Sequence, residues 1–147
     1  MGLFFLERLM TDMINHPPHY KQYSFEVIEL TELFPFCEGN AIKYILRAPF
    51  KGNFEQDLDK AIWYIKRAMS SADVVFDRPN LLLTSSKTQK INDLMGKLES
   101  GVLPHHQIQS VFSIVRWNAN RSPLDLLEAV IELTAWKREG IGKGKSE

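Results

Sequence analysis

Hydrophobic residues recur at helical spacing in the stretch that follows Ser24. The sequence FEVIELTELF places apolar side chains at positions 25, 28, 30 and 33, a set close to one face of an α-helix. Ser24 is a suitable N-cap because its hydroxyl can accept a backbone N–H of the first turn. Pro35 ends the pattern, since proline has no N–H to donate. A first helix is therefore predicted between these two residues.

Two more helices are predicted before residue 70. The second runs from about Cys37 to Ala48 and stops at the breaker-rich stretch APFKGN. Asn53 then caps a third helix, FEQDLDKAIWYIKRAM, in which Gln56 occupies the capping-box position. Residues 14–70 are thus predicted to form one compact helical module.

The second half of the chain predicts a helical annex at residues 87–140. Three helices are expected there, and the last has the clearest ends. Ser122 is its predicted N-cap, Pro123 takes the first helical position, and Gly140 follows the last turn. Apolar residues cover much of this last helix, and we expect it to bury two sides. This pattern predicts a homo-oligomer that associates through the C-terminal helices.

The remaining segments connect or extend these two units. Residues 1–13 are predicted to be an N-terminal extension and residues 141–147 a flexible tail. Residues 71–86 fit either a small β-hairpin or an extended linker, because ADVVF and LLLTSS flank the turn-like DRPN. The predicted fold class is mainly α, a compact helical module plus a C-terminal annex.

The charge, the hydrophobic segments and the cysteine content indicate which partners and which compartment the protein suits. The 147 residues carry 18 Lys and Arg against 18 Asp and Glu, so the total charge does not favour duplex nucleic acid. The apolar start MGLFFLERLM is too short to span a bilayer and lacks the features of a signal peptide, and no membrane partner is expected. The single cysteine, Cys37, rules out an intrachain disulfide and suits a reducing cytoplasm. We interpret it as a small buried residue.

A basic stripe on the second helix is the first candidate for chemistry. Residues 39–53 contain three bases and no acid, and Arg and Lys groups suit phosphate oxygens. Residues three to four apart share one helical face. The stripe and its neighbours are Asn40, Lys43, Tyr44, Arg47 and Lys51.

The third helix carries a similar polar face, formed by Asp57, Lys60, Tyr64 and Arg67. A solvated surface is the alternative for both helices. In that alternative the bases pair with the acidic first helix, and each exposed ion pair contributes only roughly 0–1 kcal/mol.

The segment NHPPHY, residues 15–20, concentrates His16, His19 and Tyr20 around two prolines. Its Pro-Pro pair excludes it from a helix interior. We interpret it as one wall of a small anion site. The four histidines fall in different segments without the paired spacing of a structural zinc site, and no metal-ligand set is predicted.

Three stretches, NHPPHY, CEGNAIKYILR and DLDKAIWYIKR, resemble in order and spacing the phage family known as domain of unknown function 3310. The resemblance covers roughly residues 14–69. That family includes the P-loop-less deoxynucleoside monophosphate kinase of short-tailed coliphages. The resemblance implies a phage or prophage accessory protein of the host cytoplasm that binds deoxynucleoside monophosphates, with ATP and Mg²⁺ as cofactors if it is a kinase. In that kinase the module is C-terminal, whereas here it comes first and an unrelated annex follows.

With stripe and resemblance combined, Lys43, Arg47 and Asp57 are the predicted catalytic residues. The three bases at positions 43, 47 and 51 would hold phosphates, Asp57 would partly hold the magnesium ion, and a tyrosine would stack on the base. The predicted substrate-binding residues are His16, His19, Tyr20, Asn40, Tyr44, Lys51, Lys60 and Tyr64.

Two alternatives come from other classes. One is a non-catalytic nucleotide-binding or host-modulating protein. The other is an all-α, magnesium-dependent nucleotide pyrophosphatase, suggested by Glu26, Glu29 and Glu32 on the first helix. The tail GIGKGKS has one residue too few for a P-loop. The three tryptophans, Trp63, Trp117 and Trp136, are interpreted as core or interface anchors.

Overall fold

The computed structural model describes residues 22–71 and 79–141, and every regular element within these ranges is a helix. The mainly α prediction is therefore confirmed. Residues 1–21, 72–78 and 142–147 lie outside the described part, and with them lie NHPPHY, the tail and the middle of the hairpin-or-linker segment. The helices are α1 (Val27–Thr31), α2 (Phe36–Arg47), α3 (Phe54–Met69), α4 (Ser85–Ser100), α5 (His105–Asn120) and α6 (Pro123–Glu139).

Helix α1 is shorter than predicted, and the N-cap assigned to Ser24 is wrong. Glu26 is the N-cap residue, and it forms a capping box with Glu29. The backbone N–H of Glu26 donates to Glu29 Oε2 at 2.7 Å. This reciprocal pair satisfies two N-terminal donors, which a serine two residues earlier cannot reach. Glu29 thus has a local structural role.

Helix α2 begins directly after Pro35 and crosses close to the end of α1. A Cβ added at Gly39 would lie 2.7 Å from the carbonyl oxygen of Thr31. No side chain fits at that distance, so glycine is required for the close approach of the two helices. Helix α3 begins after Asn53, as predicted. The Asn53 amide, however, donates to the Lys51 carbonyl at 3.4 Å and makes no side-chain cap.

Helices α5 and α6 form an antiparallel hairpin. Arg121, with a φ of 57°, makes the left-handed turn between them. Beside the turn, Arg116 pairs with Asp125 at 3.4 Å. At the far end, His106 contacts Glu132 at 2.6 Å and Glu139 at 3.1 Å. Ion pairs therefore fix both ends of the hairpin.

Helix α5 lies antiparallel across α2, and one buried polar contact holds its C-terminal end. Glu38, at the start of α2, accepts the indole N–H of Trp117 at 3.0 Å and a guanidinium N–H of Arg121 at 3.3 Å. Glu38 is itself buried. A buried carboxylate is stable only with such partners, so this contact fixes how α2 faces the annex.

A second buried contact holds the other end of the same crossing. Gln107, near the start of α5, donates to the Ile45 carbonyl at 3.1 Å and to the Tyr23 hydroxyl at 3.0 Å. That hydroxyl in turn donates to the Leu46 carbonyl at 2.6 Å. Burial raises the pKa of Tyr23 above its ordinary value. The phenol therefore stays neutral and can serve as both donor and acceptor.

Helix α6 covers α3, and residues of both predicted units share one hydrophobic core. The Phe54 and Trp136 rings meet edge to face with centroids 5.0 Å apart, and Lys137 pairs with Asp59 at 2.7 Å. Trp117 and Trp136 are buried, as predicted. Trp63 is 58% exposed and is therefore not a core residue, and the other part of its interpretation, an interface anchor, stays a prediction.

The outer face of α6 keeps an apolar stripe. Leu124, Leu127 and Ile131 are exposed, while Leu126 and Leu133 on the inner face are buried. Self-association through this helix stays a prediction. No helix in the described part of the chain combines the length and hydrophobicity needed to cross a membrane.

We expect Glu38→Ala to lower the free energy of unfolding by about 3 kcal/mol, because it leaves the Trp117 and Arg121 donors without their buried acceptor. Urea unfolding followed by circular dichroism measures this change. The exposed Glu99→Ala on α4 is the matched control and should stay within about 0.5 kcal/mol of wild type. Equal effects of the two variants would contradict the role given to Glu38.

The stability of the α5–α6 hairpin should depend on pH through His106. The hydrogen bond to Glu132 raises the pKa of His106, burial opposes this rise, and Glu139 adds to it. Because the folded-state pKa lies above the unfolded value, the stabilisation is fully present below the unfolded pKa and disappears as pH rises through the folded one. We expect His106→Gln to destabilise the protein more at about pH 5.5 than at about pH 9. Unfolding measured at both pH values tests this, and a pH-independent difference would contradict it.

Candidate functional site

The packing of α2 determines which of its side chains reach solvent. Ala41, Ile42, Ile45 and Leu46 are fully buried against the core. Lys43, Tyr44 and Arg47 fall between these positions in sequence and are only partly buried. The polar stripe predicted on this helix is therefore turned outward, at the side where α3 packs on α2.

Tyr44 lies at the centre of a group of cations. Among the described residues, the Lys43 ammonium lies 4.5 Å from the Tyr44 ring centroid, the Lys60 ammonium 5.3 Å, and the Arg47 guanidinium carbon 5.3 Å. Two of these groups come from α2 and one from α3. We call Lys43, Arg47 and Lys60 the cation cluster.

The cation cluster concentrates like charge, which is unfavourable without compensation. The negative face of the tyrosine ring offsets part of the repulsion, at roughly 0.5–1 kcal/mol per exposed cation–π contact. Asp57 supplies a carboxylate to Arg47, whose Nε donates to Asp57 Oδ2 at 3.4 Å. One carboxylate for three cations leaves a net positive field, and an anion that binds there would lower the repulsion further.

Asp57 is fully buried at the first turn of α3. Its Oδ1 accepts no hydrogen bond from any residue in the described ranges. A buried oxygen without a partner is costly. The other carboxylate oxygen, Oδ2, accepts the hydrogen bond from Arg47, and this contact holds the side chain in place. Because Nε of Arg47 is occupied by that contact, the two terminal nitrogens of the guanidinium remain for other acceptors.

Aromatic rings extend the site along α3. Tyr64 stacks nearly parallel on Tyr44, with centroids 6.0 Å apart and 12° between the planes. Phe36 and Trp63 then meet Tyr64 edge to face, at centroid distances of 6.0 Å and 5.1 Å. Phe36 is 74% exposed. We call Phe36, Trp63 and Tyr64 the aromatic patch.

The structure brings five of the predicted site residues together: Lys43, Tyr44, Arg47, Lys60 and Tyr64. Asp57 is connected to this group by its ion pair with Arg47. Asn40 uses its side-chain amide to donate to the Phe36 carbonyl at 2.8 Å, within α2. Lys51 lies in the turn between α2 and α3 and is partly buried. The predicted residues His16, His19 and Tyr20 lie outside the described ranges.

Phe36 and Trp63 are the site residues that sequence reasoning missed. The helical neighbours of Trp63, three and four positions away, are Asp59, Lys60, Lys66 and Arg67. All four are charged, so the helical period places this tryptophan on the polar face of α3. The sequence interpretation gave more weight to the large apolar side chain of Trp63 than to these charged neighbours. Phe36 gives no comparable signal, since it stands at the very start of its helix.

Two further features bear on chemistry. Cys37 is partly buried, not fully buried as predicted; burial and Glu38 raise the pKa of its thiol, and Arg67 opposes the rise. The raised pKa favours an uncharged thiol. Within the described ranges, no three His, Cys, Asp or Glu side chains converge to hold a metal ion.

Comparisons with known proteins add one finding. A family described as proteins of unknown function, DUF3310, matches residues 14–66. Comparison with curated proteins gave no match, and comparison with solved structures gave none either. The matched range contains the cation cluster, Asp57 and the whole aromatic patch. Residues 14–66 are therefore similar to the DUF3310 family.

Proposed function

We propose that the protein binds a deoxynucleoside monophosphate, with the phosphate on the cation cluster and the base beside Tyr64. The observation that carries this proposal is the convergence of Lys43, Arg47 and Lys60 within 4.5–5.3 Å of one tyrosine ring. A phosphate monoester carries between one and two negative charges at neutral pH. It matches the excess charge of this cluster, for which Asp57 is the one ion-pair partner among the described residues.

Several features support a mononucleotide over a bare anion. The Tyr64 ring lies 6.0 Å from the ring at the centre of the cation cluster, which places an aromatic face one ring away from the phosphate position. Aromatic side chains stack on nucleobases. The preference for the deoxy sugar and for a phage or prophage origin in a host cytoplasm rests on the resemblance in sequence motifs.

Removal of either lysine should weaken nucleotide binding. We expect Lys43→Ala and Lys60→Ala each to reduce affinity for deoxynucleoside monophosphates roughly 10- to 150-fold, as for loss of a charge-assisted hydrogen bond of about 1.5–3 kcal/mol. Isothermal titration calorimetry against a panel of the four nucleotides measures this.

Lys90→Ala is the matched control, because Lys90 is exposed, as Lys60 is, but lies on α4. Its affinity should equal that of wild type. An identical decrease in all three variants would mean that only overall charge matters, and no binding by wild type would refute the proposed function.

A second candidate function is phosphoryl transfer from ATP to the bound nucleotide. The observation that favours it is Oδ1 of Asp57, which has no hydrogen-bond partner among the described residues, since a carboxylate oxygen is a suitable ligand for Mg²⁺. A magnesium ion would neutralise charge on the phosphates. Asp57 is fully buried, so this function requires the side chains that cover it to move. Without that movement the protein is a non-catalytic nucleotide binder.

Phosphoryl transfer at this site predicts that wild type converts a deoxynucleoside monophosphate to its diphosphate when ATP and Mg²⁺ are added. Asp57→Asn should then lose at least about 100-fold in rate, because it removes the charge that holds the metal. Chromatography of the nucleotide products measures both rates. Lack of product with wild type would reject the kinase and leave the binding proposal intact. Full activity in Asp57→Asn would reject the role of Asp57.

A further inference from the structure

The aromatic patch offers more ring surface than one nucleotide uses. Tyr64 adjoins the cation cluster through its stacking contact with Tyr44, and a single base covers a single ring. Phe36 and Trp63 lie beyond it and are 74% and 58% exposed. Large aromatic side chains left in water beside one another mark an interaction site more often than chance exposure does.

Neither Phe36 nor Trp63 stacks face to face on Tyr64. Phe36 lies at 73° and Trp63 at 89° to the plane of Tyr64, so neither ring stacks on it. The centroids are 6.0 Å and 5.1 Å from that of Tyr64. Proteins that bind single strands stack successive bases on neighbouring aromatic side chains.

The charge around the patch is positive as well. Lys60, Lys66 and Arg67 neighbour Trp63 at helical spacing on α3. Asp59, the acid at the same spacing, pairs with Lys137 of α6 at 2.7 Å. Among the residues that the structure describes, the cations at helical spacing from Trp63 thus exceed the carboxylates at that spacing, which favours an anionic partner over a second apolar protein surface.

We propose that the site extends across the aromatic patch and binds a single-stranded oligonucleotide, with its bases on the exposed rings of the patch and its phosphates along the cations of α2 and α3. This inference rests on the proposed function, because the first phosphate occupies the cation cluster. An unpaired strand fits the geometry, since only unstacked bases present their faces to aromatic side chains. A duplex keeps its bases stacked inside and cannot present their faces to the rings. The neutral total charge of the chain does not favour duplex binding either.

The test compares ligands of different length on one set of variants. Fluorescence anisotropy gives the affinity of a labelled thymidine oligonucleotide of about eight nucleotides, and calorimetry gives that of thymidine monophosphate. We expect wild type to bind the oligonucleotide at least about 10-fold more tightly than the mononucleotide. Trp63→Ala and Phe36→Ala should each lose roughly 5- to 100-fold in oligonucleotide affinity, a larger factor than either loses in affinity for the mononucleotide.

Trp63→Phe keeps a stacking ring and should retain most of the oligonucleotide affinity. Leu124→Ala is the matched control for an exposed apolar side chain, since Leu124 lies on α6 and is 72% exposed. Tryptophan fluorescence adds a direct readout, because Trp117 and Trp136 are buried and Trp63 is exposed. A base stacked on Trp63 should quench this emission in wild type and not in Trp63→Phe.

The outcomes separate this inference from the proposed function. If the mononucleotide binds and the oligonucleotide binds no more tightly, the extended site is refuted and the proposed function stands. If neither ligand binds, both fail. Tight oligonucleotide binding that is unchanged in Trp63→Ala and Phe36→Ala would mean that charge alone holds the strand. Equal affinity for a duplex of the same sequence would likewise overturn the inference.

Discussion

The buried contact between Glu38 and the pair Trp117 and Arg121 is the constraint on which the candidate site depends. It places a carboxylate inside the protein, where only correctly positioned donors make it stable. Those donors belong to the end of α5, so α2 can take only one rotation about its own axis. In that rotation Ile42 and Ile45 face the core and Lys43 and Arg47 face outward. The annex thus orients the outward face of α2, a helix that lies outside the annex.

That orientation has an electrostatic consequence. With α2 fixed, packing of α3 against it brings Lys60 to the same tyrosine ring as Lys43 and Arg47. A free surface helix would let these cations spread into solvent. Here, a ring and one buried carboxylate compensate them only in part. Folding energy from the core therefore maintains a charge arrangement that favours an anionic ligand.

Much of this fold follows from the sequence, because helical periodicity and the Pro and Gly breakers mark the helices. The pair Lys43 and Arg47 could be found from spacing within one helix. The convergence of Lys60 with them could not, since it depends on packing between two helices. Glu38 was not identified as a core residue, because a charged side chain becomes buried only when distant partners such as Trp117 satisfy it. For Trp63 the sequence left core and interface open, and its charged helical neighbours favour the exposed position that the structure has.

Asp57 has a role in both candidate functions, and the two roles require opposite surroundings for its carboxylate. Its Oδ2 holds Nε of Arg47, which orients the guanidinium plane and leaves the terminal nitrogens for a phosphate. In this role the burial of Asp57 is an advantage, because it keeps the carboxylate from repelling the ligand. A magnesium ligand needs the opposite, since Mg²⁺ retains several waters and requires an oxygen that solvent can reach. The buried position of Asp57 therefore favours binding over catalysis unless a ligand first displaces Arg47 from its carboxylate.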